Sequence, residues 1–177
     1  MDIRDIDDVT FQDLFSPCRG CIYWEYPDRC DKTAFEDSER LKSEWFSKMK
    51  ETFDSCGEIL YIDGKAVAYC QFAPPRYIAN IKEYEKFIAP TDEDSVVITC
   101  LYVKEGYRGR GFGKILLKYV IEEIRKRGFR IVETYARDDS SNNPSGPTRL
   151  YLDYGFEKVA SGEWERAHFS LLRLSLK

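Results

Sequence analysis

The sequence predicts an α/β fold in which helices flank a mixed, mostly antiparallel central sheet. Asp63-Gly64 separates two strand-like runs, Glu58–Ile62 and Lys65–Phe72, and this dipeptide is typical of a two-residue hairpin turn. Between residues 95 and 136, a strand, a glycine-rich loop, a helix and a second strand follow in order. A helical crossover of this kind places its two strands parallel, so the sheet must be mixed.

The first long element is a helix predicted over about residues 34–54. Four apolar residues recur every four positions and give it one apolar face. These residues are Leu41, Trp45, Met49 and Phe53. Thr33 is followed three residues later by Glu36, which predicts a capping box at the start of the helix. Before it, the sequence indicates only a short helix within Val9–Phe15.

The later elements follow from local signals. β-Branched residues predict a central strand over Ser95–Val103, and Arg130–Ala136 is the strand parallel to it. The helix between them, Lys114–Arg127, has glutamates spaced four residues before basic residues, which predicts i,i+4 ion pairs. The pairs are Glu122 with Lys126 and Glu123 with Arg127. The other predicted elements are helices at Tyr77–Ile88 and Pro147–Tyr154 and closing strands at Phe156–Ala160 and His168–Leu176.

Composition limits the classes of function. The chain has 177 residues, 43% of them hydrophobic and 33% charged, as in an ordinary soluble domain. A net charge of −4 argues against nucleic acid as a partner, because phosphate contacts call for clustered basic residues. The start of the chain lacks the basic and then apolar pattern of a secretory signal, and no apolar run is long enough to cross a bilayer. We therefore expect a cytoplasmic protein with no membrane partner.

The glycine-rich loop is the strongest functional signal. It reads Arg108-Gly109-Arg110-Gly111-Phe112-Gly113 and is followed by Lys114 at the start of the predicted helix. Helix N-termini present unpaired N–H groups and a partial positive charge, so phosphate is the favoured ligand. A Walker loop would need glycine at position 108 and Ser or Thr at 115, and a dinucleotide fingerprint would need glycine at 114. The pattern that fits is R-x-x-G-x-G.

The chain resembles the GNAT superfamily of acetyl-CoA-dependent N-acetyltransferases. That family places [Q/R]-x-x-G-x-[G/A] after a strand ending in L-x-V, which here is Leu101-Tyr102-Val103, and often has L-Y-x-x-x-G-F about forty residues later, which here is Leu150 to Phe156. The resemblance covers about residues 57–176. It implies one domain spanning 1–177, with 1–56 as a helical acceptor-side segment and 57–176 as the sheet and CoA-binding core. The parallel strands would splay to admit CoA.

The resemblance also implies roles for individual residues. Acetyl-CoA would be the cosubstrate. The loop from Arg108 to Lys114, namely Arg108, Gly109, Arg110, Gly111, Phe112, Gly113 and Lys114, would hold its pyrophosphate. The backbone of Leu101 and Val103 would pair with the pantetheine arm. Tyr151 would sit near the thioester sulfur as the general acid, unless it is only a packing residue.

The sequence departs from the family pattern in two places. An asparagine often contacts the cofactor before the tyrosine-bearing helix, and here Asn142 and Asn143 are both available, but Pro144 to Pro147 shifts the register. The central strand carries no acid, so a general base, if the reaction uses one, must come from elsewhere. Glu133 is one candidate, although the sequence favours a solvent-facing position on its strand.

The cysteines and the lone histidine are weaker signals. Cys18-x-x-Cys21, with Cys30, could bind zinc, but no second C-x-x-C pair completes a ligand set, and His168 is the only histidine. We expect no metal site, and reduced thiols are the better prediction for a chain of this size in the cytosol. The aromatic stretch from Tyr23 to Tyr26 is expected to line the acceptor site or to pack on the sheet.

Two functions remain open at this stage. The first is acetyl transfer from acetyl-CoA to a primary amine by direct attack in a ternary complex. The alternative is a non-catalytic acyl-CoA-binding or sensor domain on the same fold. The acceptor, either a small molecule or a protein amine, is not specified by the sequence, which also leaves open whether the protein forms a homodimer.

Overall fold

A seven-stranded sheet runs through the protein, in a computed structural model that describes residues 1–140 and 143–177. The strands lie in the order β1-β2-β3-β4-β5-β7-β6. Their bounds are β1 Asp2–Asp5, β2 Gly57–Ile62, β3 Lys65–Ala73, β4 Val96–Val103, β5 Ile131–Arg137, β6 Glu157–Trp164 and β7 Ala167–Ser175. The helices are α1 Phe35–Thr52, α2 Ile81–Phe87, α3 Phe112–Lys126 and α4 Thr148–Tyr154. The mixed, mostly antiparallel α/β fold is confirmed.

The parallel pair, β4 and β5, stays together over only part of its length. Within the described residues its backbone pairing is limited to Val96 with Val132 and Val97 with Glu133, at the start of both strands. Every other neighbouring pair in the sheet is antiparallel. The C-terminal halves of β4 and β5 therefore diverge, which confirms the predicted splay and opens a gap beside the end of β4.

Helices cover the two faces of the sheet. On one face, α3 buries five apolar side chains against β2, β3 and β4. They are Leu116, Leu117, Val120, Ile121 and Ile124. On the other face, α1 buries Trp45, Phe46 and Met49 against the N-terminal loop and the sheet. Both faces of the central strands are thus removed from water, which is the main stabilising contribution to such a fold.

The N-terminal region differs from the sequence prediction in three respects. Asp2–Asp5 forms β1, an edge strand paired with β2 that the sequence analysis did not predict. The capping box at Thr33 is wrong, because its hydroxyl donates to the carbonyl of Arg29 and α1 begins after Ala34. The short helix predicted within Val9–Phe15 is a single 3₁₀ turn at Thr10–Asp13.

The ion pairs predicted on α3 form with different partners. Glu122 pairs with Arg125 at 2.5 Å and Glu123 with Lys126 at 2.6 Å, both at i,i+3. The Arg127 guanidinium instead donates to the carbonyl of Ser55. These exposed pairs contribute little to stability. Among the described residues, no helix combines the length and the apolar character needed to span a membrane.

Candidate functional site

A cleft of about 600 Å³ lies where β4 ends and α3 begins. Its size is within the usual range for small-molecule sites. Most of the residues predicted to bind a cofactor line it: Leu101, Val103, Arg108, Gly109, Gly111, Phe112, Gly113, Lys114 and Asn143. Asn142, the alternative asparagine, lies outside the described residues. The sequence analysis did not identify the other lining residues, which are Tyr102, Tyr107, Gly146, Pro147 and Leu150.

The N-terminus of α3 forms one wall of this cleft. Gly111 precedes the helix with φ of 83°, a left-handed conformation that glycine adopts without strain. The first helical hydrogen bond runs from the N–H of Ile115 to the carbonyl of Gly111, at 3.1 Å. The N–H groups of Phe112, Gly113 and Lys114 come before it and lie at the positive end of the helix dipole. This wall is therefore suited to a phosphate group.

The two arginines of the loop are placed differently. Arg108 lines the cleft, but its Nε donates to the carbonyl of Val103 at 2.9 Å and its guanidinium stacks on Tyr102, 5.1 Å from the ring centre. Of the described residues, Arg110 is not among those that line the cleft, and its guanidinium lies 5.6 Å from the ring centre of Tyr107. Backbone N–H groups, with Lys114, are thus the nearest donors for an anion in this arrangement.

The segment from Asn143 to Pro147 lies across the gap between β4 and β5. The N–H of Leu101 donates to the carbonyl of Pro144 at 2.8 Å, and the hydroxyl of Ser145 donates to the carbonyl of Tyr135 on β5. The Asn143 side chain holds the turn together, since its Nδ2 donates to the carbonyl of Gly146 at 2.7 Å. The backbone N–H of Leu101, predicted to pair with pantetheine, is therefore already bonded in this structure.

Tyr151 lies behind this segment and not on the cleft surface. Its side chain is buried, and its hydroxyl donates to the carbonyl of Ser145. The ring packs edge-on against Phe156, with 5.1 Å between the ring centres. A Cβ added at Gly146, which lines the cleft, would lie 3.7 Å from the Tyr151 ring, so the ring lies directly behind Gly146. Burial raises the pKa of the Tyr151 phenol well above its ordinary value.

The comparisons with known proteins agree with this geometry. The chain matches the model of the acetyltransferase (GNAT) family over residues 11–156. The chain belongs to the GNAT acetyltransferase family. Acyl transfer is therefore the activity of its family, and acetyl-CoA is the cosubstrate. Among proteins with curated descriptions, none matches the chain by sequence.

Solved structures share the fold at low sequence identity. YncA from Salmonella typhimurium, a putative acetyltransferase solved with acetyl-CoA, has a TM-score of 0.67 at 16% identity, covering 100% of this chain and 94% of that one. The PaiA N-acetyltransferase from Thermoplasma acidophilum, solved with coenzyme A, has a TM-score of 0.61 at 15% identity, covering 98% of each chain. A ribosomal-protein-alanine N-acetyltransferase from Brucella melitensis has a TM-score of 0.65 at 18% identity, covering 99% and 100%.

Two other candidates in this GNAT acetyltransferase lie away from the cleft. The solvent-facing position expected for Glu133 is wrong: its side chain is fully buried, accepts from the N–H of Asp92 at 2.8 Å and pairs with Arg173 at 2.7 Å. This pairing makes it a structural residue, because both carboxylate oxygens already have partners. His168 is exposed on β7.

The cysteines lie elsewhere in the fold, and all six are free thiols. Cys18 and Cys21 line a second cavity together with Cys100 of β4. Burial raises the pKa of the Cys18 thiol to about 12, so it is not a thiolate at neutral pH. Within residues 1–140 and 143–177, no cluster of His, Cys, Asp and Glu is arranged to hold a metal ion.

The aromatic stretch from Tyr23 to Tyr26 packs under the sheet, and Glu25 within it forms a buried ion pair that was not predicted from the sequence. Trp24 is buried against Tyr84, with 4.9 Å between the ring centres. The neighbouring Glu25 is also buried and forms an ion pair of 2.6 Å with Lys42 of α1. This pair borders the second cavity, because Lys42 is one of the residues that line it.

Proposed function

We propose that this GNAT acetyltransferase transfers an acetyl group from acetyl-CoA to a primary amine by direct attack in a ternary complex. The observation that carries the proposal is the α3 N-terminus, which opens into a cleft reaching the gap between β4 and β5. The N–H groups of Phe112, Gly113 and Lys114 would hold the pyrophosphate there, with the side chain of Lys114 adding charge. The edge of β4 that faces the gap, where Pro144 now accepts from Leu101, would pair with the pantetheine arm.

The reaction needs a neutral amine, an oxyanion donor and a proton for the departing sulfur. The amine nitrogen forms a bond to the thioester carbon, and the N–H of Leu101 stabilises the oxygen that becomes negative. Collapse of the tetrahedral species breaks the carbon–sulfur bond, and Tyr151 donates its proton to the thiolate. The new amide nitrogen then loses its extra proton to solvent, and the phenol is reprotonated.

One segment holds both of the groups that this mechanism uses. Pro144 accepts from the N–H of Leu101, and the adjacent Ser145 accepts from the hydroxyl of Tyr151. A single displacement of Pro144 and Ser145 would free the oxyanion donor and the acid together. We therefore propose that acetyl-CoA binding moves this segment out of the gap, so that the catalytic groups become available only when the cosubstrate is bound.

The deciding experiment measures CoA release with a thiol reagent while acetyl-CoA is offered with a panel of primary amines. An enzyme releases CoA in an amine-dependent manner. A sensor domain binds acetyl-CoA in calorimetry and releases no CoA with any amine, and that result would contradict the proposal. Gly113→Val is the matched control, because its side chain would enter the cleft where the cosubstrate is proposed to bind.

A further inference from the structure

A second cavity of about 260 Å³ lies beside the cosubstrate cleft. Its walls are mostly thiols and rings, contributed by Cys18, Cys21, Cys100, Tyr69 and Tyr102. Tyr102 and Asn143 line both spaces. Pro144, the residue that closes the gap next to Leu101, is also in its wall. The segment at 143–144 thus divides the two spaces, and its displacement would join them at β4.

The polar feature of this cavity is the ammonium group of Lys42. Its side chain is 1% exposed, and it donates to Glu25 at 2.6 Å and to Gln71 at 2.7 Å. An ammonium group has three N–H donors, so these two bonds leave one available. A second polar atom nearby is also unsatisfied: the Oε2 of Glu25 is fully buried and has no hydrogen-bond partner among the described residues. Buried polar atoms with no partner, such as this oxygen, are uncommon in folded proteins.

The charge that faces the cavity is positive. Lys42 lines it, whereas Glu25 is not one of the described residues in its wall. The pKa values of the Cys18 and Cys100 thiols reflect this positive charge. Burial raises both pKa values, and Lys42, the strongest charge acting on each thiol, offsets part of the rise. A ligand here would meet a wall made mostly of thiols and rings, together with Asn143 and one donor with a positive charge.

We propose that this cavity binds the acceptor, a small monoamine with an apolar body and a carbonyl or carboxylate oxygen that accepts a hydrogen bond from Lys42. The inference rests on the proposed function and names the acceptor class for it. The cavity volume corresponds to about nine water molecules at roughly 30 Å³ each, which is enough space for an apolar amino acid or its amide. A large protein surface would not fit this space.

The same cation selects against polyamines. Glu25 offsets part of the Lys42 charge. Without that offset, a second ammonium group within about 6 Å of Lys42 would weaken binding on the order of 10- to 100-fold at an intermediate effective dielectric, so the expected effect is toward the lower end. The repulsion also lowers the pKa of the acceptor's own ammonium group, which favours the neutral amine that the reaction needs. Deprotonation of the acceptor's ammonium group would then require no Asp or Glu on β4 as a general base.

The first test compares acceptors in matched triplets. Valine, leucine, methionine and phenylalanine are each assayed beside their amides and beside the amines that lack the carboxyl group, with 1,4-diaminobutane and spermidine as polycations. We expect kcat/KM to be at least tenfold higher for the oxygen-bearing members of a triplet than for the simple amine. A higher kcat/KM for the amino acids than for their amides indicates that the preferred oxygen is anionic, and the reverse order indicates that it is neutral. Equal values across the triplets, or a preference for polycations, would overturn the proposal.

The second test uses two cysteines in the same loop. Cys21 and Cys30 are both half-buried free thiols, but of these two only Cys21 lines the cavity. Cys21→Phe fills the cavity and should raise the acceptor KM at least tenfold while leaving the Kd of acetyl-CoA unchanged. Cys30→Phe is the matched control and should leave both constants unchanged. Identical acceptor kinetics in the two variants would place the acceptor elsewhere.

A third variant examines the cation itself. Lys42→Met alone would leave Glu25 as an unpaired buried charge, so Lys42→Met is combined with Glu25→Gln to keep the interior neutral. Folding of this double variant is checked by thermal denaturation, and the variant should lose the preference for oxygen-bearing acceptors. If this variant does not fold, the comparison of Cys21 with Cys30 still decides the proposal.

Failure of the inference can be told apart from failure of the proposed function. If wild-type protein binds acetyl-CoA but releases no CoA with any amine, the proposed function fails. The cavity is then tested by calorimetry of leucine and leucinamide with the CoA-bound protein. Binding that is lost in Cys21→Phe and kept in Cys30→Phe supports the cavity as an amine site. Absence of binding to the wild type would overturn it.

Discussion

Replacing Tyr151 with phenylalanine removes one buried hydroxyl group and keeps the ring that packs against Phe156. If the phenol protonates the departing thiolate, turnover should fall by about 10²–10⁴-fold, the usual contribution of a general acid. The variant also loses the hydrogen bond from the hydroxyl to the carbonyl of Ser145. Because a buried carbonyl then lacks its donor, the free energy of unfolding should drop by about 1–3 kcal/mol.

The same lost hydrogen bond should change acetyl-CoA binding in the opposite direction. It is one of the bonds that hold the 144–146 segment in the gap. A net value of about 0.5–1.5 kcal/mol for one bond predicts about 2- to 12-fold tighter acetyl-CoA binding, because less free energy is spent on moving the segment. Tyr151→Phe should therefore bind the cosubstrate at least as tightly as the wild type while turning over far more slowly.

Ser145→Ala is the control that separates the two effects. It removes the hydrogen bond from the Ser145 hydroxyl to Tyr135 and so loosens the same segment, but it keeps the phenol. We expect tighter acetyl-CoA binding with wild-type turnover. Tyr154→Phe, a half-buried tyrosine on the same helix, should change neither quantity.

Calorimetry for the Kd of acetyl-CoA, and single-turnover kinetics for the chemical step, measure both quantities. Full turnover in Tyr151→Phe under conditions where chemistry limits the rate would make water or another residue the acid and return Tyr151 to a packing role. Weaker acetyl-CoA binding in Ser145→Ala would show that the segment belongs to the bound conformation, contrary to the proposed displacement.

Two further predictions concern the cleft and the core. Gly113→Val should weaken acetyl-CoA binding at least tenfold in calorimetry, because a Cβ at Gly113 would lie 3.6 Å from Val103 and further methyl groups would enter the cleft. Gly106→Val is the control: its position is exposed, with open space around it, so binding should stay unchanged. Burial, with a smaller contribution from Asp5, raises the pKa of Glu58 from 4.5 to about 9. Between these pH values the folded state keeps a proton that the unfolded state loses, so the free energy of unfolding should decline as pH rises. In denaturant titrations, Glu58→Gln should show a smaller decline and should be more stable than the wild type at pH 8, by about 1–3 kcal/mol. If the stability of the wild type instead rises between pH 5 and 8 in parallel with that of the variant, the prediction is contradicted.

Local signals predicted the wall of the cleft that runs from Leu101 to Lys114, because its parts are consecutive in sequence, whereas Gly146, Pro147 and Leu150 of the opposite wall were not predicted. The hairpin at Asp63-Gly64, the crossover helix and the glycine loop are each specified by neighbouring residues. Glu133 was misassigned for a different reason: β5 is a central strand with both faces covered, and its carboxylate is paired by Arg173, its register partner on β7. Sequence spacing alone does not reveal such a partner forty residues away.

Lys42 shows a signal that the sequence contained. It lies three, four and seven residues before Trp45, Phe46 and Met49, the spacing that places a residue in the apolar face of a helix. A lysine in such a face must either extend to solvent or find a buried partner. The partner, Glu25, comes from the loop before the helix, and the pairing depends on how that loop folds over the sheet. The sequence could therefore flag Lys42 as unusual but could not name its partner.

The Pro144 to Pro147 insertion, which the sequence showed only as a shift in register, has a physical role in the fold. Neither proline has an N–H, so the segment cannot continue a ladder along β4 and contributes only the carbonyl of Pro144. Three hydrogen bonds hold Pro144 and Ser145 to the surrounding structure: from Leu101, to Tyr135 and from Tyr151. Pro147 is bridged separately to Arg137 of β5. At about 1 kcal/mol each, the three hydrogen bonds cost about 3 kcal/mol to break, whereas a micromolar ligand supplies about 8 kcal/mol. In the proposed mechanism, acetyl-CoA binding displaces Pro144 and Ser145, and the acid and the oxyanion donor stay covered until it does.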